Sequence, residues 1–176
     1  MTEPRRSGGA GFAGAGSGKL TTSDLFDDNA ERAQTCAAQL RSFGGVRAFS
    51  GSIATVRCDE DNVLLKAELS QPGEGRVLVV DGGGSFRCAL LGDTIGGLAV
   101  SNGWAGVVIN GCVRDVAALR ELPVGILALG SNPKPSRKGG DGETGTAVSF
   151  GECTFRPGDE LHADEDGVLV LPATPR

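Results

Sequence analysis

The chain has 176 residues, enough for one domain and little more at roughly 150 residues each. With 39% hydrophobic and 22% charged residues, wholesale disorder is excluded. A net charge of -5 and a pI of about 4.9 exclude a chain that grips nucleic acid through its phosphates, which needs a basic surface.

In chain order, residues 1–19 carry Arg5 and Arg6 amid Gly, Ala and Ser, with no apolar core long enough for a signal peptide. They read as a flexible Gly-rich leader, followed by a domain over residues 20–172 and a tail over 173–176. Thr21, Thr22, Ser23 and Asp24 offer N-cap oxygens ahead of Leu25 and Phe26, and a second helix is expected from Asn29 to Arg41, stopped by Gly44-Gly45. Ile53–Cys58 reads as a strand, and Asn62–Leu69 as a short helix closed by Gln71-Pro72-Gly73. Arg76–Asp81 is a continuous apolar run of the kind buried on both faces of a parallel sheet. After the turn Gly82-Gly83-Gly84 come a helix over Leu90–Ser101, a strand over Gly106–Asn110, a helix over Asp115–Leu122 and a strand over Val124–Leu129. Strand, helix, strand, helix, strand implies a parallel layer with right-handed crossovers, an α/β fold.

Residues 130–145 interrupt that alternation with Gly, Pro and three basic side chains, Lys134, Arg137 and Lys138, and read as a long loop. Loops of this length act as lids or are simply mobile, and basic groups would suit a lid over an anion. Ala147–Phe150, Cys153–Phe155 and Gly167–Leu171 are expected as short strands, making the C-terminal part β-rich. No stretch approaches the roughly 20 apolar residues of a membrane span, so a cytoplasmic protein with no membrane partner is expected.

The sequence also limits the chemistry. His162 is the one histidine, placed in an acidic turn with no nucleophile elbow anywhere, which rules against a Ser-His-Asp hydrolase and a His-rich zinc site. The five cysteines are scattered and form no C-x-x-C, so they read as reduced, buried small hydrophobes. The turn Asp81-Gly82-Gly83-Gly84 superficially resembles a nucleotide- or adenosylmethionine-binding turn. The following strand, however, ends Ile109-Asn110-Gly111 with no acid for a ribose, and a plain tight turn is the simpler reading.

A stronger constellation joins Gly92, Asp93, Thr94 and Ile95 at a helix start to Arg114 and Asp115 at the end of the next strand. Open α/β sheets place ligands beyond the carboxyl ends of their strands, and both segments lie on that edge. The helix start offers free N–H groups to an anion. Arg114 supplies a planar fork for the carboxylate of a small 2-oxo acid, and Asp115 could hold a hard divalent cation, Mg²⁺ or Mn²⁺. The competing reading pairs Arg114 with Asp93 as a structural ion pair and leaves Asp115 to cap the next helix.

Gly92-Asp93, Asn102-Gly103-Trp104-Ala105-Gly106, Gly111-Cys112-Val113-Arg114-Asp115, Gly151-Glu152-Cys153-Thr154-Phe155 and Pro157-Gly158-Asp159 together resemble the RraA-like family. The upstream Phe43-Gly44-Gly45 and Ile53–Cys58 are similar to it too. The resemblance implies a single-domain β/β/α swivelling-type sandwich with a parallel strand-helix-strand core, assembled as a ring-shaped homotrimer. It implies one of two activities. The first is metal-dependent cleavage of 4-hydroxy-4-methyl-2-oxoglutarate with decarboxylation of oxaloacetate, through a pyruvate enolate and without a Schiff base. The second is regulation by binding a ribonuclease E-type enzyme. By position, Gly92–Ile95 and Arg114 match the substrate-binding residues, Arg114 and Asp115 the catalytic pair, and Asp115 the metal ligand. One departure stands out: the aldolases place a carboxylate soon after the Arg-Asp pair, whereas Val116-Ala117-Ala118 follow here and Glu121 is the nearest acid.

Overall fold

The computed structural model describes residues 20–174, so the expected leader and the last two residues of the tail lie outside the described residues. The elements run α1 (Thr22–Asn29), β1 (Gln34–Thr35), β2 (Arg41–Ser42), β3 (Phe49–Arg57), α2 (Val63–Leu69), β4 (Val77–Asp81), β5 (Ala89–Leu91) and α3 (Asp93–Ser101). They continue with β6 (Gly106–Val113), α4 (Val116–Leu119), β7 (Gly125–Ser131), β8 (Glu143–Thr144), β9 (Val148–Phe150), β10 (Cys153–Phe155), β11 (Glu160–Asp164) and β12 (Gly167–Leu171).

The apolar runs become the parallel centre β3-β4-β6-β7 of a sheet ordered β1-β12-β11-β3-β4-β6-β7-β2, while β9 and β10 form a separate hairpin. Successive side chains of a strand face opposite ways, and both faces here are covered. Leu78, Val80, Val107, Ile109 and Ile126 pack on Leu65, Leu69, Ile95, Ala99 and Leu119 of the helices. Val77, Val79, Val108 and Leu127 pack on Phe155, Leu161 and Val170 of the C-terminal strands. The result is the expected α/β architecture: a helical layer, a parallel sheet and a β-rich layer. Each fully buried Val or Leu contributes roughly 1.5–3 kcal/mol, which makes this double-sided sheet the main source of stability.

Several local expectations are corrected. The helix expected over 29–41 does not form beyond α1. Instead Gln34 pairs with Val170, its side chain brackets Thr154 through both the amide N–H and the carbonyl, and the Cys36 N–H donates to Val168 at 3.0 Å. Tertiary hydrogen bonds to the edge of β12 outweigh a helix-prone composition. The third helix begins at Asp93, not Leu90, because Ala89–Leu91 pair with β6. The fourth is only Val116–Leu119 rather than 115–122. His162 lies on β11 between Ser50 and Leu169, not in a turn.

The basic segment is no free loop. Arg137 N–H donates to Glu60 O at 2.8 Å, Ala89 N–H donates to Lys134 O at 2.8 Å, and the Asp61 carboxylate accepts from Gly139 and Gly140 N–H. Asp61 is 1% exposed. Burial alone would raise its pKa, but the N–H groups of Val63, Gly139 and Gly140 and the Arg137 charge outweigh it and hold the carboxyl below its ordinary value.

Candidate active site

The register of β5 on β6 builds the site. Leu91 pairs with Val113, so the residues that follow, Gly92 and Arg114, leave the sheet side by side, and Arg114 N–H donates to Leu91 O at 2.9 Å. Gly92 is extended and the chain then turns into α3. Asp115 takes a left-handed conformation, φ 57° and ψ 42°, which Asp tolerates better than most residues. That turn sends its carboxylate back across the sheet edge, where Oδ2 accepts the Asp93 N–H at 3.1 Å. A Cβ on Gly92 would sit 2.5 Å from the same oxygen and 3.2 Å from Arg114 Cγ, so only glycine admits this approach.

The competing reading of the sequence fails on both counts. Among the described residues, Arg114 has no ion pair with Asp93; its Nε lies 3.9 Å from Asp115 Oδ2. Asp115 makes no side-chain cap for α4, whose N-cap position it occupies, and caps α3 instead. Asp93 Oδ1 accepts the Thr94 N–H at 2.8 Å, and the first helical bond runs from Gly96 to Gly92 at 2.8 Å. The Ile95 N–H is therefore the donor at this helix end that neither bond takes up.

All six expected residues, Gly92, Asp93, Thr94, Ile95, Arg114 and Asp115, line one cavity of about 150 Å³. Its size is below the roughly 300–1,000 Å³ of sites for drug-sized ligands and suits a small acid. Larger hollows of about 300 and 420 Å³ lie against β12, but neither contains any of these six, so size does not select the site. Arg114 and Asp115 keep side-chain exposures of 44% and 39%, open to solvent from the cavity. Glu121 is exposed and does not line it. Sequence reasoning missed Asn62, Lys66 and Lys138 as lining residues. The basic run around Lys138 was a visible signal, but long-range contacts bring it to the sheet edge, among them the bridges of Ala89 to Pro135 and of Asp61 to Arg137.

The donor set fits a hard divalent cation. Asp115 Oδ1 and Asp93 Oδ2 take no hydrogen bond from a described residue, and Mg²⁺ is commonly held by one or two carboxylates with water and substrate oxygens completing six. No cluster of three or more His, Cys, Asp or Glu forms among the described residues, so a closed all-protein metal cage is not available there.

The glycine turn is occupied by the protein itself. Gly82 and Gly84 N–H both donate to Asn110 O at 3.1 Å, and Gly83 N–H to Asp81 Oδ1 at 3.0 Å, so these amides have no capacity left for a phosphate.

The RraA-like family model, Aldolase/RraA, matches residues 21–170. A protein of Laribacter hongkongensis (strain HLHK9), named "Putative 4-hydroxy-4-methyl-2-oxoglutarate aldolase", is 56% identical over 151 residues, covering 86% of this chain and 95% of that one. A crystal structure from Geobacillus kaustophilus HTA426, described as an S-adenosylmethionine:2-dimethylmenaquinone methyltransferase, matches at TM-score 0.86 and 44% identity over 88% of this chain and 96% of that one. The RNA-processing inhibitor RraA of Thermus thermophilis matches at TM-score 0.86 and 45% identity over 90% and 96%. Sequence motifs, fold and these relatives agree: the chain belongs to the RraA-like family.

Proposed function

We propose that this protein is a divalent-metal-dependent lyase that cleaves 4-hydroxy-4-methyl-2-oxoglutarate to two molecules of pyruvate and decarboxylates oxaloacetate. The observation that carries the reading is the meeting of the Arg114 guanidinium, the Asp115 carboxylate and the first turn of α3 in one small cavity. The name of the Laribacter relative supports it.

Arg114 would grip the substrate's 1-carboxylate with its planar fork, and the Ile95 N–H at the positive end of α3 would add a donor to the same end. Asp115, with Asp93 beside it, would hold Mg²⁺ or Mn²⁺. When bound, such an ion supplies Lewis-acid polarisation of the 2-oxo group, worth several kcal/mol to the developing negative charge. A water held by Asp93 accepts the 4-hydroxyl proton as the C3–C4 bond breaks. The electron pair of that bond passes onto C3 and the 2-oxo oxygen, where Arg114 opposes its charge, and C3 is then protonated to give pyruvate. Oxaloacetate loses carbon dioxide with the same electron pair and requires no base. With no downstream carboxylate in the cavity, decarboxylation is the reaction least affected.

Purified protein with Mg²⁺ and oxaloacetate is expected to release pyruvate faster than Mg²⁺ alone, and Asp115→Ala to abolish the excess. No excess rate, or an undiminished one in Asp115→Ala, overturns the reading. A homotrimer is part of the proposal, and a monomer mass by light scattering would remove it.

The likeness to the Thermus inhibitor favours a second reading, a module that binds a ribonuclease E-type enzyme. It predicts slower RNA cleavage in the presence of this protein and no change with Arg114→Ala.

A further inference from the structure

We propose that Lys138, steadied by Asn62, selects 2-oxo acids that carry a second carboxylate. The inference rests on the lyase reading for the placement of the first carboxylate at Arg114. Three cations, Lys66, Arg114 and Lys138, line the same cavity as the carboxylates of Asp93 and Asp115. Arg114 has Asp115 as a neighbour, but among the described residues neither Lys66 nor Lys138 has a carboxylate within ion-pair distance. Two cations with no carboxylate in ion-pair distance, beside an open cavity, favour a ligand with a negative group beyond the one Arg114 holds.

Lys138 is also held in place. Its Nζ donates to Asn62 Oδ1 at 3.4 Å, and Asn62, 8% exposed, is oriented by its own Nδ2 donating to Leu90 O at 3.2 Å. The two residues after it, Gly139 and Gly140, are pinned by N–H donation to the buried Asp61. The ammonium has donors to spare after Asn62, so it can take a carboxylate without giving up its anchor.

The test uses unreactive acids and so does not depend on turnover. Binding of 2-oxoglutarate and of 2-oxopentanoate, which lacks the distal carboxylate, is measured calorimetrically with Mg²⁺ at constant ionic strength. The wild-type protein is expected to prefer 2-oxoglutarate by about 10-fold, the ordinary worth of one charged hydrogen bond. Lys138→Gln should reduce the preference to about 2-fold or less and leave 2-oxopentanoate affinity unchanged. Equal affinities in the wild type, no binding of either acid, or a full preference in Lys138→Gln overturns the proposal. A preference that behaves as expected without pyruvate formation would sink the lyase reading alone, and pyruvate formation with a preference indifferent to Lys138 would sink only this one.

Discussion

The Asp115 carboxylate closes the N-terminus of α3 by accepting the Asp93 N–H at 3.1 Å, although the two residues are 22 positions apart and on different elements. One side chain therefore serves as helix cap and as candidate metal ligand, and substitutions separate the two roles. Asp115→Asn keeps an oxygen for the cap and tolerates the left-handed backbone, but removes the charge. Its melting temperature should stay within about 2 °C of wild type while pyruvate release falls about 100-fold or more. Asp115→Ala loses the cap and strains the backbone as well, about 2 kcal/mol together, and should melt about 4–8 °C lower. Equal stability of the two variants would refute the cap.

Gly92, at the N-cap of α3, and Gly97, in the middle of the same helix, give opposite expectations. A Cβ at Gly92 meets Asp115 Oδ2 at 2.5 Å, whereas one at Gly97 meets nothing within 4 Å. Gly92→Ala must displace Asp115 and Arg114, and kcat/KM for oxaloacetate is expected to drop by about 10-fold or more. Gly97→Ala should leave the rate alone and stabilise α3 by roughly 0.5–1 kcal/mol. A rate for Gly92→Ala equal to that of Gly97→Ala would show that the approach of Asp115 does not matter to the chemistry.

Asp61 links the basic segment to pH. Its folded pKa is lowered, so its contribution to stability is present above the ordinary Asp value of about 3.9 and is lost as pH falls through the depressed folded value. Asp164, held low by Thr22 and by the Asp166 and Gly167 amides against the opposing effect of burial, acts in the same direction. Melting temperature should be flat from pH 7 to about 5 and fall steeply below about 4. Asp61→Asn presents an amide N–H₂ where an acceptor is needed and should cost about 1–3 kcal/mol at pH 7, with a shallower acid slope. An acid slope identical to wild type would assign the loss to other carboxylates.

The parallel centre was legible because the expected strands Arg76–Asp81 and Gly106–Asn110 contain the uninterrupted apolar runs Val77–Val80 and Val107–Ile109, which a sheet covered on both faces demands. Gly92–Ile95 and Arg114–Asp115 were legible as two segments on one sheet edge, and the pairing of Leu91 with Val113 is what makes them neighbours. Three-residue β5 was not legible, since Ala89–Leu91 has no period of its own and runs straight into α3. Nor was the segment 29–41, whose structure is dictated by partners more than a hundred positions away, Thr154 and Val168. Lys138 was visible as a charge, but its place depends on Asp61, Asn62 and Ala89, none of which carries a motif.

The sequence excluded a lysine from both motifs, yet the fold brings Lys66 and Lys138 to the cavity wall, so the route without a Schiff base needs its own test. Desolvation in an apolar pocket is one way in which a protein activates a Schiff-base lysine. Lys66 and Lys138 are both exposed, and Lys138 Nζ is directed at the Asn62 carbonyl oxygen at 3.4 Å. Treatment with sodium borohydride in the presence of pyruvate should therefore leave the mass of the intact protein unchanged, while a chelator removes oxaloacetate decarboxylation and Mg²⁺ restores it. A borohydride-trapped pyruvate adduct that disappears in Lys66→Gln or Lys138→Gln would move the chemistry from Asp115 to that lysine. In that case the chelator should have no effect, and the two results together leave no room for both routes.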